Sequence, residues 1–544
     1  MQDSKPSALA CLPCRRRHLK CDARMPICSR CHETHNDCRY VRSRRGLRGR
    51  PGSDPASGDV DILPDLTSWL DGAIDIDPDL LDLPPLDTNL DVNVQMDSIH
   101  SSPIADLHFP AGARPGYIRP DAHAESLAHD PMIQLYYHHF HRAHPILLPR
   151  RSLASSCCQH IPAFIPHIMR YIGSHYYPHP GFSDSFHGAA YTALSAPNDG
   201  FKVQGLLLLS IIEHAYGLEE TAWKLLREAT QLACQIGLTS PSFAKAHSRG
   251  KPILEESWRR TYWELVVIEG IMTALSGGNI LSNYKLINEE MPLPCEETAY
   301  NSEQTSPFKR PLTLATLPSQ ADSLHISSFT HRILAIKTLR TVLQTTLSLD
   351  SVSEHQTETL DARLVASLMR LPSSLPDHDT TTVDEMVFQT LMITYLSLIY
   401  LHHPHSTLRL VAYHPSTSRA TTTLCPRLRA LLPGPPSSGP PIPNTHTHTQ
   451  KLLRAADLLS NLATLPSSVI SRTPFFTCGL AIAVVVHVAA LVGLPPSDAA
   501  HAQEREESLK ARIELGVGAL QVVGRVWPLA RRVRGEMVEM YRGR

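Results

Sequence analysis

The sequence predicts a small metal-folded head and a large all-α domain, joined by a disordered acidic linker. Six of the twelve cysteines fall within residues 11–38, in a regular repeat. Residues 51–112 contain thirteen Asp and no Glu, Lys or Arg. From about residue 126 onwards apolar residues recur with helical spacing, and strand-like alternation is nearly absent. A chain of 544 residues is too long for one core, so several domains are expected.

These observations predict three parts: a head at 1–50, a linker at 51–125 and a helical domain at 126–544. The net charge of the whole chain is −1, so only the distribution of charge is distinctive. Within the helical domain, residues 412–449 are rich in Pro, Ser and Thr and have little apolar pattern. We predict a disordered insertion there.

The head contains the unit C-x2-C-x6-C twice. Its cysteines are Cys11, Cys14, Cys21, Cys28, Cys31 and Cys38. A structural Zn²⁺ takes four ligands, so six thiolates complete two tetrahedra if two sulfurs bridge the metals. The first residues lack the apolar core of a secretory signal, which favours a reducing compartment and metal ligation over disulfides. Iron–sulfur ligation and a disulfide framework are weaker alternatives for the same residues.

Cations surround these ligands, with 13 Lys and Arg against four Asp and Glu in residues 1–50. The run between the second and third cysteines contains Arg15, Arg16, Arg17, His18 and Lys20. A glycine-containing arm after the last cysteine contains Arg42, Arg44 and Arg45. A metal module that encloses a basic run points to a polyanionic partner. The arm is interpreted as a phosphate contact and nuclear import signal, with a merely solvated charge run as the alternative.

The head resembles the fungal binuclear zinc-cluster (Zn₂Cys₆) transcription factors. The resemblance implies two Zn²⁺ ions, both bridged by the first cysteine of each half, Cys11 and Cys28. Cys14 and Cys21 then complete the first zinc site, and Cys31 and Cys38 complete the second. Pro26 matches the proline that is typical of the loop between the halves. The resemblance also implies that the short helix after the first Cys-x2-Cys enters the DNA major groove and reads a CGG triplet.

One position departs from the family pattern. The commonest run after the second cysteine is Arg-x-Arg-Lys-x-Lys-Cys, and His18 stands where the first lysine is usual. A neutral histidine still donates one hydrogen bond to guanine N7 or O6, but it lacks the charge. We therefore expect Arg17 and His18 to lie nearest the bases. The phosphates are expected to be held mainly by Arg15, Arg16 and Lys20.

The acidic segment interleaves aspartates with large apolar residues, as in 65–71 and 75–83. Its prolines prevent a long helix, and its like charges and small apolar content keep such a segment disordered. It is interpreted as an activation segment that recruits the transcription machinery or coactivators, or else as a plain acidic linker. It shows no heptad pattern, so no linker coiled coil is expected. A homodimer through the helical region stays open.

Helical periodicity marks the third part. Apolar residues from Ala222 to Ile236 lie on one helix face, and Gly237 predicts its end. The run 203–212 is apolar nearly all round and predicts a buried helix, and a further helix contains 258–272. More helices are expected at about 327–348, 357–371, 382–402, 450–465, 475–493 and 501–541, the last bent or broken at Pro528.

The helical part also resembles the regulatory domain that follows the zinc cluster in the same family. The matching runs are 140–147, 204–209, 222–238, 259–263, 293–295 and 474–476. Each run is a hydrophobic or helix-boundary pattern of low specificity, but together they follow the family order. The resemblance implies a domain that restrains or tunes activation, sometimes with small effectors.

Residues 475–494 carry no formal charge and are just long enough to span a bilayer. His487, Gly479 and the lack of strong basic flanks favour a buried helix instead, so no membrane partner is expected.

A few other residues are of types that carry chemistry in some proteins and have only structural roles in others. His138, His139, His141 and His144 suggest a metal or acid–base site, although ordinary helix histidines are the favoured interpretation. Cys157 and Cys158 are interpreted as inert rather than as a redox sensor, and His446 and His448 are assigned no role. The sequence contains no nucleotide-binding loop, G-x-S-x-G or H-E-x-x-H motif, so no enzyme is expected.

The sequence thus predicts a nuclear, sequence-specific, DNA-binding regulator of RNA polymerase II genes. It does not decide between an activator and a repressor, although the acidic segment at 51–112 favours an activator. The family resemblance implies control of metabolic or secondary-metabolite genes. The alternative is a zinc-stapled protein-interaction scaffold or co-regulator without sequence-specific DNA readout. The basic run inside the cysteine repeat favours DNA.

Overall fold

The computed structural model divides the chain into two compact units, Met1–Val92 and Asn93–Arg544. It describes residues 20–22 and 29–34 of the first unit. In the second unit it describes 127–155, 161–177, 179, 181–276, 286–302, 312–317, 326–347, 354–371, 383–408, 444–494 and 500–543. The acidic linker predicted at 51–125 lies outside the described residues, as do Cys157 and Cys158.

The described residues form sixteen α-helices. The first unit contributes α1 (Ser29–Glu33). The second unit begins with α2 (Pro131–Leu135), α3 (Phe164–Ser174), α4 (Asp184–Ala190), α5 (Gly200–Tyr216), α6 (Glu219–Gln235), α7 (Phe243–Ala246), α8 (Pro252–Leu275) and α9 (Glu297–Asn301). It continues with α10 (Ser328–Leu347), α11 (Glu354–Met369), α12 (Glu385–His402), α13 (Thr445–Asn461), α14 (Phe476–Val492), α15 (Ala500–Val523) and α16 (Pro528–Arg542). Within the described ranges no strand is present, so the predicted all-α class is confirmed for this part.

The helix ends follow local chemistry. The Asp199 carboxylate accepts a hydrogen bond from the Lys202 backbone N at 2.9 Å and caps the start of α5. Gly217 ends α5 with φ of 76°, a left-handed conformation that glycine adopts without a Cβ clash. Gly237, the predicted stop after α6, has φ of 77°. Pro528 is the first residue of α16, so the predicted break between the last two helices is confirmed.

A single hydrophobic core runs through the second unit, and α8, α12 and α14 are buried on nearly every face. α14 occupies most of the charge-free run at 475–494, and Cys478, Leu480 and Val484 are 0–2 % exposed. The favoured interpretation of this run as a buried helix is confirmed. α14 has 17 residues, and none of the described helices combines the length and apolar character that a bilayer crossing requires.

The structure corrects one boundary. The insertion was predicted to extend to residue 449, but α13 begins at Thr445. Its first turns carry threonines and histidines, which a composition argument assigns to a loop. Here they contact α11 and α12, and those tertiary contacts outweigh weak helix propensity. Residues 412–443 lie outside the described ranges.

Candidate zinc cluster, DNA interface and helical core

The described part of the head is a short helix whose start is fixed by an acidic side chain. α1 begins directly after Cys28 and contains Cys31. The Asp22 carboxylate accepts hydrogen bonds from the Ser29 backbone N at 3.1 Å and from Ser29 Oγ at 2.5 Å. The first N–H groups of a helix have no partner inside the helix, so an anion there satisfies them. The residue next to Cys21 therefore fixes the start of the helix that carries Cys31.

Thiols and cations of the head differ in exposure. The Cys31 side chain is 2 % exposed and Cys21 is half-buried, whereas Lys20 and Arg30 are exposed. A buried thiol beside a second cysteine-bearing segment suits Zn²⁺, which takes thiolate ligands in structural sites. The exposed cations leave a surface that attracts phosphate. The donor residues that the structure describes therefore fit a zinc-stapled module with a basic surface.

The structure places only part of the predicted site. Among the proposed ligands it describes Cys21 and Cys31, one from each copy of the repeat, and among the proposed DNA contacts it describes Lys20. Outside the described residues lie Cys11, Cys14, Cys28, Cys38, Arg15, Arg16, Arg17, His18, Arg42, Arg44 and Arg45. Sequence reasoning missed the contact between Asp22 and Ser29. The signal was available, because Asp and Ser are the residue types that satisfy helix N-termini.

Three of the four histidines at 138–144 bond to different residues. His144 Nδ1 lies 2.7 Å from Glu264 Oε1. His141 Nδ1 lies 3.4 Å from Tyr136 Oη, and His139 Nδ1 lies 2.8 Å from Ser471 Oγ. Burial lowers the pKa of His141 to about 3 and that of His139 to about 4, so both rings are neutral at pH 7. In the parts of the chain that the structure describes, no group of three or more His, Cys, Asp or Glu is arranged to hold a metal ion.

Glu264 lies at the centre of a fully buried polar network. One carboxylate oxygen contacts His144, and the other forms an ion pair with Arg332. Arg332 also donates hydrogen bonds to Gln389 Oε1 at 2.7 Å and to the Ala143 carbonyl at 3.3 Å. The side chains of Glu264, His144 and Arg332 are 0 % exposed. Burial alone would raise the pKa of Glu264, but Arg332 and His144 outweigh it and lower that pKa, so the carboxylate is ionised.

The network continues into the segment before α14. Thr473 Oγ1 lies 3.2 Å from His144 Nε2, and the neighbouring Arg472 forms an ion pair with Glu385 of α12 at 2.7 Å. Burial raises the pKa of Glu385 in spite of Arg472. Polar side chains inside the core therefore connect five parts of the second unit. These are the segment after α2, the helices α8, α10 and α12, and the segment before α14. These contacts account for the sequence run 140–147, and they lie directly before the run 474–476.

A second buried cation accounts for two more runs. Arg260 Nε lies 2.9 Å from Glu256 Oε1, one turn earlier on α8. Its Nη2 donates a hydrogen bond to the Cys295 carbonyl at 2.8 Å, and its guanidinium lies 4.0 Å from the centre of the Tyr300 ring. Arg260 thereby holds the segment that contains 293–295 against α8. Each such bond satisfies a polar group that would otherwise be costly to bury.

Comparison with known proteins matches both units. Residues 9–47 match the fungal Zn(2)-Cys(6) binuclear cluster domain, which binds two zinc ions and DNA. Residues 133–364 match the fungal specific transcription factor domain. The chain is 28 % identical over 559 residues to the C6 finger domain transcription factor iacK of Pestalotiopsis fici, an alignment that covers 97 % of this chain and 79 % of that protein. No solved structure matches the chain.

The two family matches fall on the head and on the helical part, in the order that the sequence predicts. They support transcription regulation rather than catalysis, and they give no support to the scaffold alternative. Together, the two matches and the relative support a fungal Zn₂Cys₆ transcription factor.

Proposed function

We propose that this transcription factor is a nuclear activator that reads CGG-type triplets through its head. The observation that supports this most directly is the geometry around α1. Asp22 joins the segment that carries Cys21 to the helix that carries Cys31, while Lys20 stays exposed beside them. Among the described head residues, the Cys31 thiol is thus buried while the cations Lys20 and Arg30 are exposed.

In this proposal all six head cysteines hold the two zinc ions. Six thiolates and two Zn²⁺ carry a net charge of about −2, which the adjacent cations more than offset. Arg17 and His18 contact the bases, and Arg15, Arg16 and Lys20 contact phosphates. Arg42, Arg44 and Arg45 of the arm add phosphate contacts outside the recognition site.

A mobility-shift titration of the zinc-loaded full chain tests base readout. We expect tighter binding to a duplex with CGG triplets than to one of equal length without them. His18→Ala is expected to narrow that preference roughly fivefold, the worth of about one hydrogen bond. Arg44→Ala is the matched comparison: it removes a phosphate contact, weakens all duplexes alike and lowers the salt slope by about 1. Equal affinity for both duplexes would contradict sequence-specific reading.

A reporter assay tests the acidic segment. Residues 51–112 fused to a foreign DNA-binding domain are expected to stimulate transcription, because the aspartates keep Trp69 and the leucines solvated until a partner groove accepts them. Trp69→Ala in the same fusion should reduce the signal, while Asn93→Ala should leave it unchanged. A silent wild-type fusion would show that the segment is only a linker.

The remaining assignments complete the proposal. Residues 1–50 form the DNA-binding part, 51–125 the linker with its activation segment, and 126–544 the regulatory part. A transcription factor acts where its DNA is, so we propose a nuclear location. Fluorescent tagging with and without residues 39–50 would show whether the arginine-rich arm directs import.

A further inference from the structure

Two histidine rings meet inside the second unit, between α12 and α13. His402 is the last residue of α12, and His448 lies in the first turn of α13. Their Nδ1 atoms are 2.9 Å apart, and the two residues are 0 % and 3 % exposed. This contact is not part of the proposed DNA-binding head or of the buried network around Glu264. The sequence alone assigns no role to His448.

The outer nitrogen of each ring faces a carboxylate of α11. His402 Nε2 lies 3.0 Å from Asp361 Oδ1, and His448 Nε2 lies 3.3 Å from Glu354 Oε1. Burial alone would raise the pKa of Asp361, but hydrogen bonds from His402 and Lys451 lower it to about 2. The pKa of Glu354 is also lowered, as hydrogen bonds from Asn444 and His448 outweigh its slight burial. Both carboxylates are therefore ionised near pH 7 and can only accept, so each Nε2 carries a hydrogen.

This arrangement fixes the state of the inner nitrogens. A neutral imidazole carries one ring hydrogen, and here that hydrogen is already on Nε2. Both Nδ1 atoms would then present lone pairs to each other at 2.9 Å, which is repulsive. One additional proton between them converts the contact into a charge-assisted N–H···N hydrogen bond. We propose that His402 and His448 bind one shared proton between their Nδ1 atoms and form a pH-sensitive clasp that holds α13 against α11 and α12.

The surrounding charges suit one proton and not two. From α11 the pair faces Asp361 and Glu354, and from α13 it faces Lys451, which lies 2.7 Å from Asp361. His405, in the 3₁₀ turn after α12, has its ring centre 5.0 Å from that of His448. One shared proton and Lys451 balance the two carboxylates. A second proton would place two N–H groups against each other.

The clasp joins the two ends of one chain connection. Residues 403–408 leave α12, and the chain re-enters the described region at 444, at the start of α13. Next to the histidines, Thr449 Oγ1 accepts a hydrogen bond from the Thr407 backbone N at 2.9 Å. The proton therefore stabilises the place where this connection closes, and its loss would loosen the first turns of α13.

The pH dependence follows from proton counting. Free histidines titrate near pH 6.5, and coupled sites titrate as a pair. In the proposed clasp the folded pair keeps one proton where the unfolded rings keep almost none, so above about pH 6.5 the stabilisation falls as pH rises. Well below pH 6.5 the unfolded rings take two protons and the folded pair keeps one, so the stabilisation also falls. The contribution of the pair is therefore greatest near pH 6.5.

Denaturant unfolding of the zinc-loaded full chain at pH 5.5–8.5 tests the clasp. At pH 8 the wild type should release about one proton more on unfolding than His448→Asn, because the asparagine amide donates to His402 Nδ1 without a charge. His355→Asn, at an exposed position on α11, is the control and should behave as the wild type. Equal proton release by the wild type and His448→Asn would overturn the proposal.

Ring-nitrogen NMR of the wild type gives a second readout that needs no variant. At pH 7 one proton shared by the two Nδ1 atoms is expected, and two unprotonated Nδ1 atoms would overturn the clasp. Adding zinc beyond the two equivalents that the cluster binds distinguishes a proton shared by the two rings from a metal ion that bridges them. If the added zinc raises the unfolding midpoint of the wild type but not of His448→Asn, a metal bridges the rings and the proposal fails.

Discussion

Replacing Cys31 by serine is expected to abolish specific DNA binding while the helical domain stays folded. Cys31 is buried in a head too small to have a core of its own, so metal binding supplies its folding free energy. For structural zinc sites that free energy is about 10–16 kcal/mol. Loss of a ligand should reduce DNA affinity to the non-specific level, at least about 10³-fold weaker. The measurements are zinc content per chain and a mobility shift on CGG duplexes.

Cys234→Ser is the matched control, because Cys234 is an exposed cysteine on α6, in the other unit. This variant should keep both zinc ions and full DNA affinity. Far-UV circular dichroism should show the same helix content for the wild type and both variants. A Cys31→Ser protein that keeps two zinc ions and its CGG preference would show that Cys31 is not a ligand.

Replacing Arg332 by alanine is expected to destabilise the helical domain by about 3–5 kcal/mol, the usual cost of leaving one member of a buried ion pair without its partner. Glu264, at 0 % exposure, would lose the cation that offsets its burial and would keep only His144 beside it. Gln389 and the Ala143 carbonyl would lose a donor as well. The measurement is the free energy of unfolding from denaturant titration of the zinc-loaded full chain.

The chain offers a control on the same helix. Lys337 also forms an ion pair, with Glu289, but the two side chains are 44 % and 54 % exposed. Water screens this pair, so Lys337→Ala should cost less than about 1 kcal/mol. The double variant Glu264→Leu with Arg332→Met should recover much of the loss, because it removes both buried charges together. Similar costs for Arg332→Ala and Lys337→Ala would contradict the role assigned to the network.

Helix positions in the second unit were largely predictable because they depend on local pattern. The stripe from Ala222 to Ile236 and the stop at Gly237 need only the 3.6-residue period and the conformational freedom of glycine. α14 was predicted from a run of apolar residues without charge. The start of α13 was not, since Thr445–His448 form helix through contacts with α11 and α12 that lie far away in the sequence.

The histidines show the same limit. The sequence draws attention to the dense group at 138–144, but in the structure His139, His141 and His144 each bond to a different residue. The Nδ1 atoms of His402 and His448 do meet, although 46 residues separate the two histidines. Between the two histidines lies the stretch rich in Pro, Ser and Thr, whose composition gives no helical periodicity from which to place His448. Density along the chain is a poor guide to proximity in space for helical proteins, because neighbours in sequence point to different faces of a helix.

The sequence by itself determined that this protein has a zinc-binding head and a helical part, and it carried the resemblance to the zinc-cluster transcription factors. Cysteine spacing and apolar periodicity are local and carry that information directly. Only the tertiary structure decided which polar groups meet inside the core. His144 and Thr473 lie 329 residues apart and still form one contact. The physical reason is that a buried charge or imidazole requires a partner, while the sequence around it does not specify which distant helix supplies that partner.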